Sequence, residues 1–421
     1  MMISIVIFLY IENILKNFLR LFVFFLENFM KICAVVCEYN PFHFGHAYQI
    51  SEMKKRGAVI AVMSGSFTQR GDAAVLSKYD RAEIAVRCGA DLVLELPFPY
   101  SSASAEIFGG AGVRIAHALG CVDELCFGSE TGDISALCVL SERLESEKFK
   151  EALSAYLAEN PAQSYRSSVA RTYRAFYGED FPSNGSNDIL ALSYLSALQS
   201  LHSDIVPVAI MRKGETYNGG GEGFASATTV RALMRSGDWD SVFRCAPMET
   251  AERLFSASTE GKLADAERIF PLFAALARTR SLDICSDLYD IPHDLAARLW
   301  KYGRESKDME AFLSLAVSKN DSASRIRRAM LTVLMDVKKS DVGDVAYTTV
   351  LASNQTGREI LSKLRKTASI PIVTKPADAK HFGDDVTRAA ALAANADAVW
   401  ELLCGAPRSG SAMMREKPRM L

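Results

Sequence analysis

A ten-residue string, Cys37-Glu38-Tyr39-Asn40-Pro41-Phe42-His43-Phe44-Gly45-His46, stands between an apolar run over 32–36 and an amphipathic pattern that begins near Ala47. A short apolar run, a tight turn and a helix start in that order describe a strand feeding a helix, the repeating unit of parallel α/β sheets. The turn ends in two imidazoles flanking a glycine at a helix N-terminus. Unpaired backbone N–H groups and the positive end of the helix dipole gather there, and a glycine lets a phosphate pass close to the backbone. The ligand that suits this arrangement is a nucleoside triphosphate. One histidine beside a turn is more often structural than catalytic, but two at this spacing, after a strand and before a helix, point to chemistry.

The same alternation continues along the chain. Strands are expected over 32–36, 59–63, 92–95, 124–127 and 205–209, with helices over 46–55, 77–88, 101–119 and 187–199. That pattern predicts an α/β fold with a parallel sheet covered by helices on both faces, its ligands at the carboxyl ends of the strands. Most polar strings fall at those ends. The second strand runs into Ser64-Gly65-Ser66-Phe67-Thr68-Gln69-Arg70-Gly71-Asp72, which suits a loop near ligand and equally an ordinary polar loop. The fourth ends at Phe127-Gly128-Ser129-Glu130, where a glycine lets a base or ribose lie against the backbone. The fifth ends at Met211-Arg212-Lys213, followed by a glycine-rich stretch over 218–223 and by Ser226-Ala227-Thr228-Thr229-Val230-Arg231. Hydroxyls, helix N–H groups and an arginine there form a second phosphate clamp.

A chain of 421 residues has room for two or three domains, and a formal net charge of −2 gives no global polyanion signature, so any nucleic-acid surface must be local. Beyond about Gly237 the glycine-rich strings stop and helical patterns take over. The expected organisation is a nucleotide-binding domain over 30–240, a mainly helical region over 241–405 and a mobile tail over 406–421. Two basic clusters in the helical region, Arg325, Arg327 and Arg328, and Lys363, Arg365 and Lys366, read either as solvated helix faces or as a grip on RNA phosphate. Residues 1–29 are apolar but interrupted by Glu12, Lys16, Arg20 and Glu27, which excludes an unbroken bilayer span, and without a basic n-region or a small-residue cleavage site they do not read as a signal peptide. They read as a translated extension ahead of Met30 rather than as a membrane-surface anchor. Nine scattered cysteines without a C-x-x-C pair predict a reducing cytoplasmic setting, with neither zinc nor disulfides.

With these strings in order, residues 30–235 closely resemble the tRNA(Met) cytidine acetate ligase family (TmcAL). The matching strings are Glu38–His46, Met63-Ser64-Gly65 with Gln69-Arg70-Gly71, Lys78-Tyr79-Asp80-Arg81, 91–97 with Ser104-Ala105-Glu106, Phe127–Glu130, Asn187-Asp188-Ile189-Leu190, Arg212 and Ser226–Arg231. The resemblance implies a nucleotidyltransferase-like sheet of the HIGH superfamily. It further implies an enzyme that activates acetate with ATP as acetyl-adenylate and acetylates N4 of the wobble cytidine in elongator tRNA(Met). His43 and His46 would then be the catalytic pair. The expected ATP contacts are Val36, Cys37, Glu38, Tyr39, Asn40, Pro41, Phe42 and Gly45 around that pair, with Gly128, Asn187 and Arg212, and Ser226, Thr228, Thr229 and Arg231 closing over the β- and γ-phosphates. Magnesium is expected with the triphosphate, with no dedicated protein metal cage. The chain departs from the family at Phe44, where Asn is usual, at Ser186, where Pro is usual, and over Lys319-Asn320-Asp321-Ser322 and Thr349-Val350-Leu351-Ala352.

Two other functions fit the same residues. One is a small-molecule adenylyl- or cytidylyltransferase, which uses the same histidine motif. The other is a non-catalytic RNA-binding protein on a nucleotide-binding scaffold, against which the full set of phosphate-binding residues speaks. Nothing in the sequence specifies an oligomeric state or the residues that hold acetate.

Overall fold

Five apolar runs become five parallel strands, β1 (Ile32–Cys37), β2 (Ala58–Ser64), β3 (Leu92–Leu96), β4 (Glu124–Ser129) and β5 (Val206–Met211). The computed structural model describes residues 31–160, 163–182, 185–213 and 224–421, so the 1–29 extension and the glycine-rich stretch 218–223 lie outside the described residues. The strand order β5-β4-β1-β2-β3 reverses its winding at β1. A crevice therefore opens above the carboxyl ends of β1 and β4, the usual ligand position in such sheets.

The helices of this half are α1 (Phe44–Lys54), α2 (Lys78–Arg87), α3 (Ala105–Ala118), α4 (Ile134–Glu145), α5 (Glu147–Glu159), α6 (Tyr165–Tyr177), α7 (Ser186–Ser200) and α8 (Ala227–Ser236). Cys33, Val35, Val59, Ala61 and Met63 pack on one face of the sheet, with Ile50 and Met53 of α1 and Tyr79 and Ala82 of α2. Ala34, Val36, Val62 and Leu125 face the other way, onto Phe108 and Ala111 of α3 and Ala191 and Leu195 of α7. Burial on both faces is why these strands read as unbroken apolar runs instead of alternating ones. Gly112 of α3 lies so near β1 that an added Cβ would sit 2.6 Å from Val36, so its lack of a side chain sets the close helix-to-sheet contact.

The second half continues with α9 (Trp239–Cys245), α10 (Met248–Thr259), α11 (Ile269–Thr279), α12 (His293–Glu305), α13 (Met309–Ala316) and α14 (Ala323–Leu334). It then departs from the expected helical region. β6 (Thr348–Ser353) adds to the free edge of β3 in the antiparallel sense, α15 (Gln355–Thr367) follows, and β7 (Ile372–Val373) pairs with β6. The sheet is therefore mixed, and the boundary expected near 240 divides the chain without dividing the sheet. The β6 run is short and surrounded by helical pattern, and its partner lies about 250 residues earlier in the chain, as the Thr348 Oγ1 to Glu95 O hydrogen bond shows at 2.7 Å.

α16 (Asp384–Leu402) packs back onto the nucleotide half, where Trp400 donates from Nε1 to the Ala74 carbonyl at 2.7 Å. The tail, expected to be mobile, is tied down at three points. Arg408 pairs with Glu401 at 3.0 Å, Arg419 lies over the Tyr79 ring, and β8 (Arg419–Met420) pairs with β6. Its glycine, prolines and charges read as a linker, but the charges have specific partners. Among the described residues no helix is long and apolar enough to cross a membrane.

Candidate nucleotide site

His43 leaves β1's turn in extended backbone (φ −142°) and serves as the N-cap of α1. Its Nδ1 accepts the Gly45 N–H at 3.0 Å, while the His43 N–H donates to Nδ1 of His46 at 3.3 Å. Two histidines thus form a reciprocal capping box, and each has its Nδ1 occupied as an acceptor. The proton of each neutral ring must then sit on Nε2, which leaves two N–H donors for a ligand. Gly45 makes this possible, since a Cβ there would lie 2.8 Å from the His43 ring. The rings stack with centroids 3.8 Å apart.

Burial, then Arg212 and Arg231, push the His43 pKa down to about 4. Burial, His43 and Arg212 likewise hold His46 well below its usual value. Both are neutral near pH 7 before a ligand arrives, so an entering triphosphate meets hydrogen-bond donors at the helix N-terminus.

These rings face a cavity of about 1040 Å3 over the carboxyl ends of β1 and β4. Val36, Cys37, Glu38, Asn40, Gly45, Gly128, Asn187, Arg212, Ser226, Thr228, Thr229 and Arg231 line it, as expected for a nucleotide site. Tyr39, Pro41 and Phe42 do not. Tyr39 and Phe42 are buried behind the wall, with their rings packed against His46 at centroid distances of 4.9 and 5.5 Å. The turn has two sides, and only one can face ligand.

The second clamp forms at α8. Ser226 caps it by accepting from Thr229 N at 3.2 Å, and Arg231 reaches from α8 to the Asn40 carbonyl at 2.6 Å and to Thr228 Oγ1 at 3.1 Å. Arg231 thereby ties this helix to the histidine turn. Gly128 leaves space for the Arg212 stem, which an added Cβ would meet at 3.3 Å. Glu130 caps α7, accepting from Asn187 Nδ2 at 2.5 Å and from Asp188 N at 3.0 Å. Asn187 is therefore fixed at the cavity rim.

Sequence reasoning did not place Thr68, Gln69, Arg70, Asp72, Tyr194 and Lys213 among the site residues, yet they line the same cavity. The glycines around 64–72 were the available clue. Glu38 holds this loop by accepting from Gln69 N at 2.6 Å, and burial raises its carboxyl pKa. Arg81, fully buried, donates to the carbonyls of Glu38, Ser64, Gly65 and Leu76, locking the ends of β1 and β2 together.

The expected RNA cluster has a different occupation. Arg325 pairs with Asp290 at 3.0 Å and with Asp321 at 3.2 Å, Arg327 pairs with Asp72 at 3.3 Å, and Arg328 donates to the Gln69 carbonyl at 3.3 Å. Two of the three side chains hold the cavity loop, so the cluster is not an open phosphate grip. Lys363, Arg365 and Lys366 are exposed on α15. Just beyond them Thr367 bonds Leu119 at the far end of α3, whose opposite end lines the cavity at Ala105. A 14-residue helix spans about 20 Å, so this cluster lies well away from the cavity. One other group, Cys33, Glu124 and Cys126, gathers potential metal ligands at the opposite ends of the strands, but Lys31 and Arg56 already occupy Glu124.

A family model described as HIGH Nucleotidyl Transferase matches residues 30–412. The tRNA(Met) cytidine acetate ligase of Acetivibrio thermocellus is 32% identical over 372 residues, covering 83% of this chain and 89% of that protein. The chain belongs to the tRNA(Met) cytidine acetate ligase family. The ligase of that name from Fervidobacterium nodosum is 33% identical over 364 residues, covering 82% of this chain and 84% of its own. Thermotoga maritima TmcAL, in a crystal structure bound with alpha-thio ATP, is 30% identical and superposes with a TM-score of 0.86 over 93% of this chain and all of that one. The likeness extends past residue 240, through the helical half and β6, so the whole mixed sheet is a family trait and the fold expected from the motifs is present.

Proposed function

We propose that this chain is an ATP-dependent acetate ligase that forms acetyl-adenylate and acetylates N4 of the wobble cytidine of elongator tRNA(Met). The observation that carries the chemistry is the histidine capping box, which presents two Nε2–H donors at a helix N-terminus beside Arg212 and Arg231. Adenylation needs no protein nucleophile. A carboxylate oxygen attacks the α-phosphorus and pyrophosphate departs, so the protein's tasks are positioning and stabilisation of charge on the phosphates. His43 and His46 meet that charge, and Ser226, Thr228, Thr229 and Arg231 meet the leaving pyrophosphate. In the second half-reaction the cytidine amine attacks the acetyl carbon, AMP leaves and the amine loses one proton.

Magnesium fits this site as a companion of ATP. Glu38, Asp72 and Glu130 are engaged by Gln69, Arg327 and Asn187 respectively, so the ion would be held mainly by phosphate oxygens. The exposed Lys363, Arg365 and Lys366 are proposed to touch tRNA far from its wobble base.

Purified protein with ATP, magnesium, labelled acetate and a tRNA(Met) transcript tests the proposal. Mass spectrometry of the digested tRNA should find one acetylated cytidine at the wobble position, with AMP and pyrophosphate formed. Nucleotide transfer to a small phosphorylated acceptor, without acetylated tRNA, would instead support a small-molecule nucleotidyltransferase.

A further inference from the structure

The second half-reaction releases a proton that needs an acceptor. The N4 lone pair of cytidine is delocalised into the ring, so this amine is a poor nucleophile until it sheds a proton, and a base beside it speeds the attack. The cavity offers few. The outward nitrogens of His43 and His46 already carry protons, since each Nδ1 accepts a backbone N–H. Three carboxylates line the cavity among the described residues, those of Glu38, Asp72 and Glu130. Asp72 pairs with Arg327 at 3.3 Å, and both oxygens of Glu130 accept from the start of α7. Glu38 differs. One of its oxygens accepts from Gln69 N at 2.6 Å, which fixes the group, and among the described residues nothing donates to the other.

Its place in the fold suits a base. Glu38 follows β1 directly, and β1 lies between β4 and β2 in the sheet. On the β4 and β5 side, Gly128, Asn187 and Arg212 line the cavity, and the glycine lets adenosine lie against the backbone. On the β2 side, Thr68, Gln69 and the exposed Arg70 leave room for an acceptor that carries phosphate charge. Ligand sites run to about 1,000 Å3, so a cavity of about 1040 Å3 has space for a nucleotide and a second base together. The acyl phosphate then falls over β1, between the two. We propose that Glu38 is the general base of acetyl transfer, its second oxygen taking the N4 proton of the cytidine. The assignment rests on the acetate-ligase function proposed above.

As N4 bonds to the acetyl carbon, the carbonyl π electrons move to oxygen and the N4 proton passes to the Glu38 carboxylate. The electrons return as the bond from that carbon to the phosphate oxygen breaks, and AMP leaves with the electron pair. The proton on Glu38 is then lost to water. Burial raises the Glu38 carboxyl above its ordinary value, against the Gln69 N–H and the charges of Arg70, Arg81 and Arg231, and this direction strengthens a base. Cys37 and Tyr194 also face it, and burial keeps both protonated. In the first half-reaction a carboxylate attacks and no proton moves, so the base is needed only in the second.

Synthetic acetyl-adenylate and excess tRNA(Met) transcript, mixed with the full chain in a single turnover, isolate acetyl transfer. Acetate-dependent exchange of labelled pyrophosphate into ATP, measured without tRNA, isolates adenylation. Glu38→Gln keeps an acceptor for Gln69 N and deletes the base. It should slow transfer about a hundredfold to ten-thousandfold at saturating tRNA, while exchange falls by about tenfold at most. Glu38→Asp, shorter but still basic, should recover part of the rate. In the unaltered protein transfer should fall about tenfold per pH unit below the Glu38 pKa, a limb that Glu38→Gln lacks. Transfer at the parent rate in Glu38→Gln means that the departing AMP takes the proton, and overturns the assignment. So does an equal loss of exchange and transfer, which places Glu38 in adenylation or in holding the loop. A loss reversed by more tRNA or by more magnesium makes it an RNA contact or a metal ligand, and overturns the assignment too. If Glu38→Gln does not fold, the unaltered protein decides: a transfer rate flat from about pH 5 to 8 overturns the base, and an acid limb restored in part by Glu38→Asp sustains it. Absence of acetate-dependent exchange in the unaltered protein defeats the ligase function itself, whereas normal exchange and transfer with an unresponsive Glu38→Gln defeats the base alone.

Discussion

His46 has two tasks on two ring nitrogens. Nδ1 completes the α1 cap and leaves Nε2 as the donor of a ring that lines the cavity, while the ring also packs on Tyr39 and Phe42. Truncation to Ala would therefore remove packing as well as chemistry, more than its place at a helix start suggests. His46→Asn keeps an acceptor near Nδ1 and deletes the outward donor. Its adenylation rate should fall about a hundredfold to a thousandfold, the effect of losing one charge-stabilising donor, with a smaller loss of thermal stability than in His46→Ala because the cap acceptor is kept. Pyrophosphate exchange and a melting curve measure the two; an unaltered rate at saturating ATP removes His46 from the mechanism. The depressed His43 pKa also sets a pH dependence. An unfolded histidine titrates near 6.5 and the folded one near 4, so between those values the unfolded state binds more protons. This contribution is present above pH 6.5 and is lost as pH falls toward 4, on the order of 3 kcal/mol at most. Urea titrations across that window should show a shallower decline in His43→Asn than in the parent protein.

Between elements the decisive contact is a buried ion network. Lys78 of α2 lies 2.8 Å from Glu95 at the end of β3 and 2.8 Å from Asp397 of α16, which also accepts from Ser66 Oγ at 2.6 Å. Burial lowers the lysine pKa, but the two carboxylates more than offset this and hold it well above its usual value. Lys78→Met would leave two carboxylates buried without a cation. Such a loss typically costs about 3–5 kcal/mol, so the denaturant midpoint should fall sharply and α16 should detach first. Hydrogen exchange faster in α16 than in β1 would show that order. Equal protection in both would mean that packing through Trp400 holds the helix instead.

Across the whole molecule, the second half completes the first. β6 covers the edge of β3 and α16 closes on the loop at Ala74, so a fragment ending near residue 240 would expose a central strand and the apolar surface beneath it. Such a fragment should aggregate or unfold without a cooperative transition, while the full chain melts as one unit; calorimetry distinguishes these. The tail contributes in the same way. Deleting 406–421 removes the Arg408 pairings, the Arg419 contact with Tyr79 and β8, and should lower the melting temperature by several degrees, where removal of a mobile tail would leave it unchanged.

Contiguous sequence was enough to determine the parallel core strands, the histidine turn at a helix start and many of the residues that line the large cavity, because a strand, turn and helix start are encoded within a dozen adjacent residues. Patterning could also suggest that the loop after β2 approaches ligand. It could not separate Tyr39 and Phe42 from their ligand-facing neighbours, because a turn's two sides alternate residue by residue. Nor could it show that Arg327 and Arg328 close on Asp72 and Gln69. Lys78 and Asp397 are separated by 319 positions, and β3 meets β6 across a comparable distance. No local periodicity records such pairs. Only the tertiary structure decided them, because a buried charge or a bare strand edge is satisfied by whatever chain the fold brings to it.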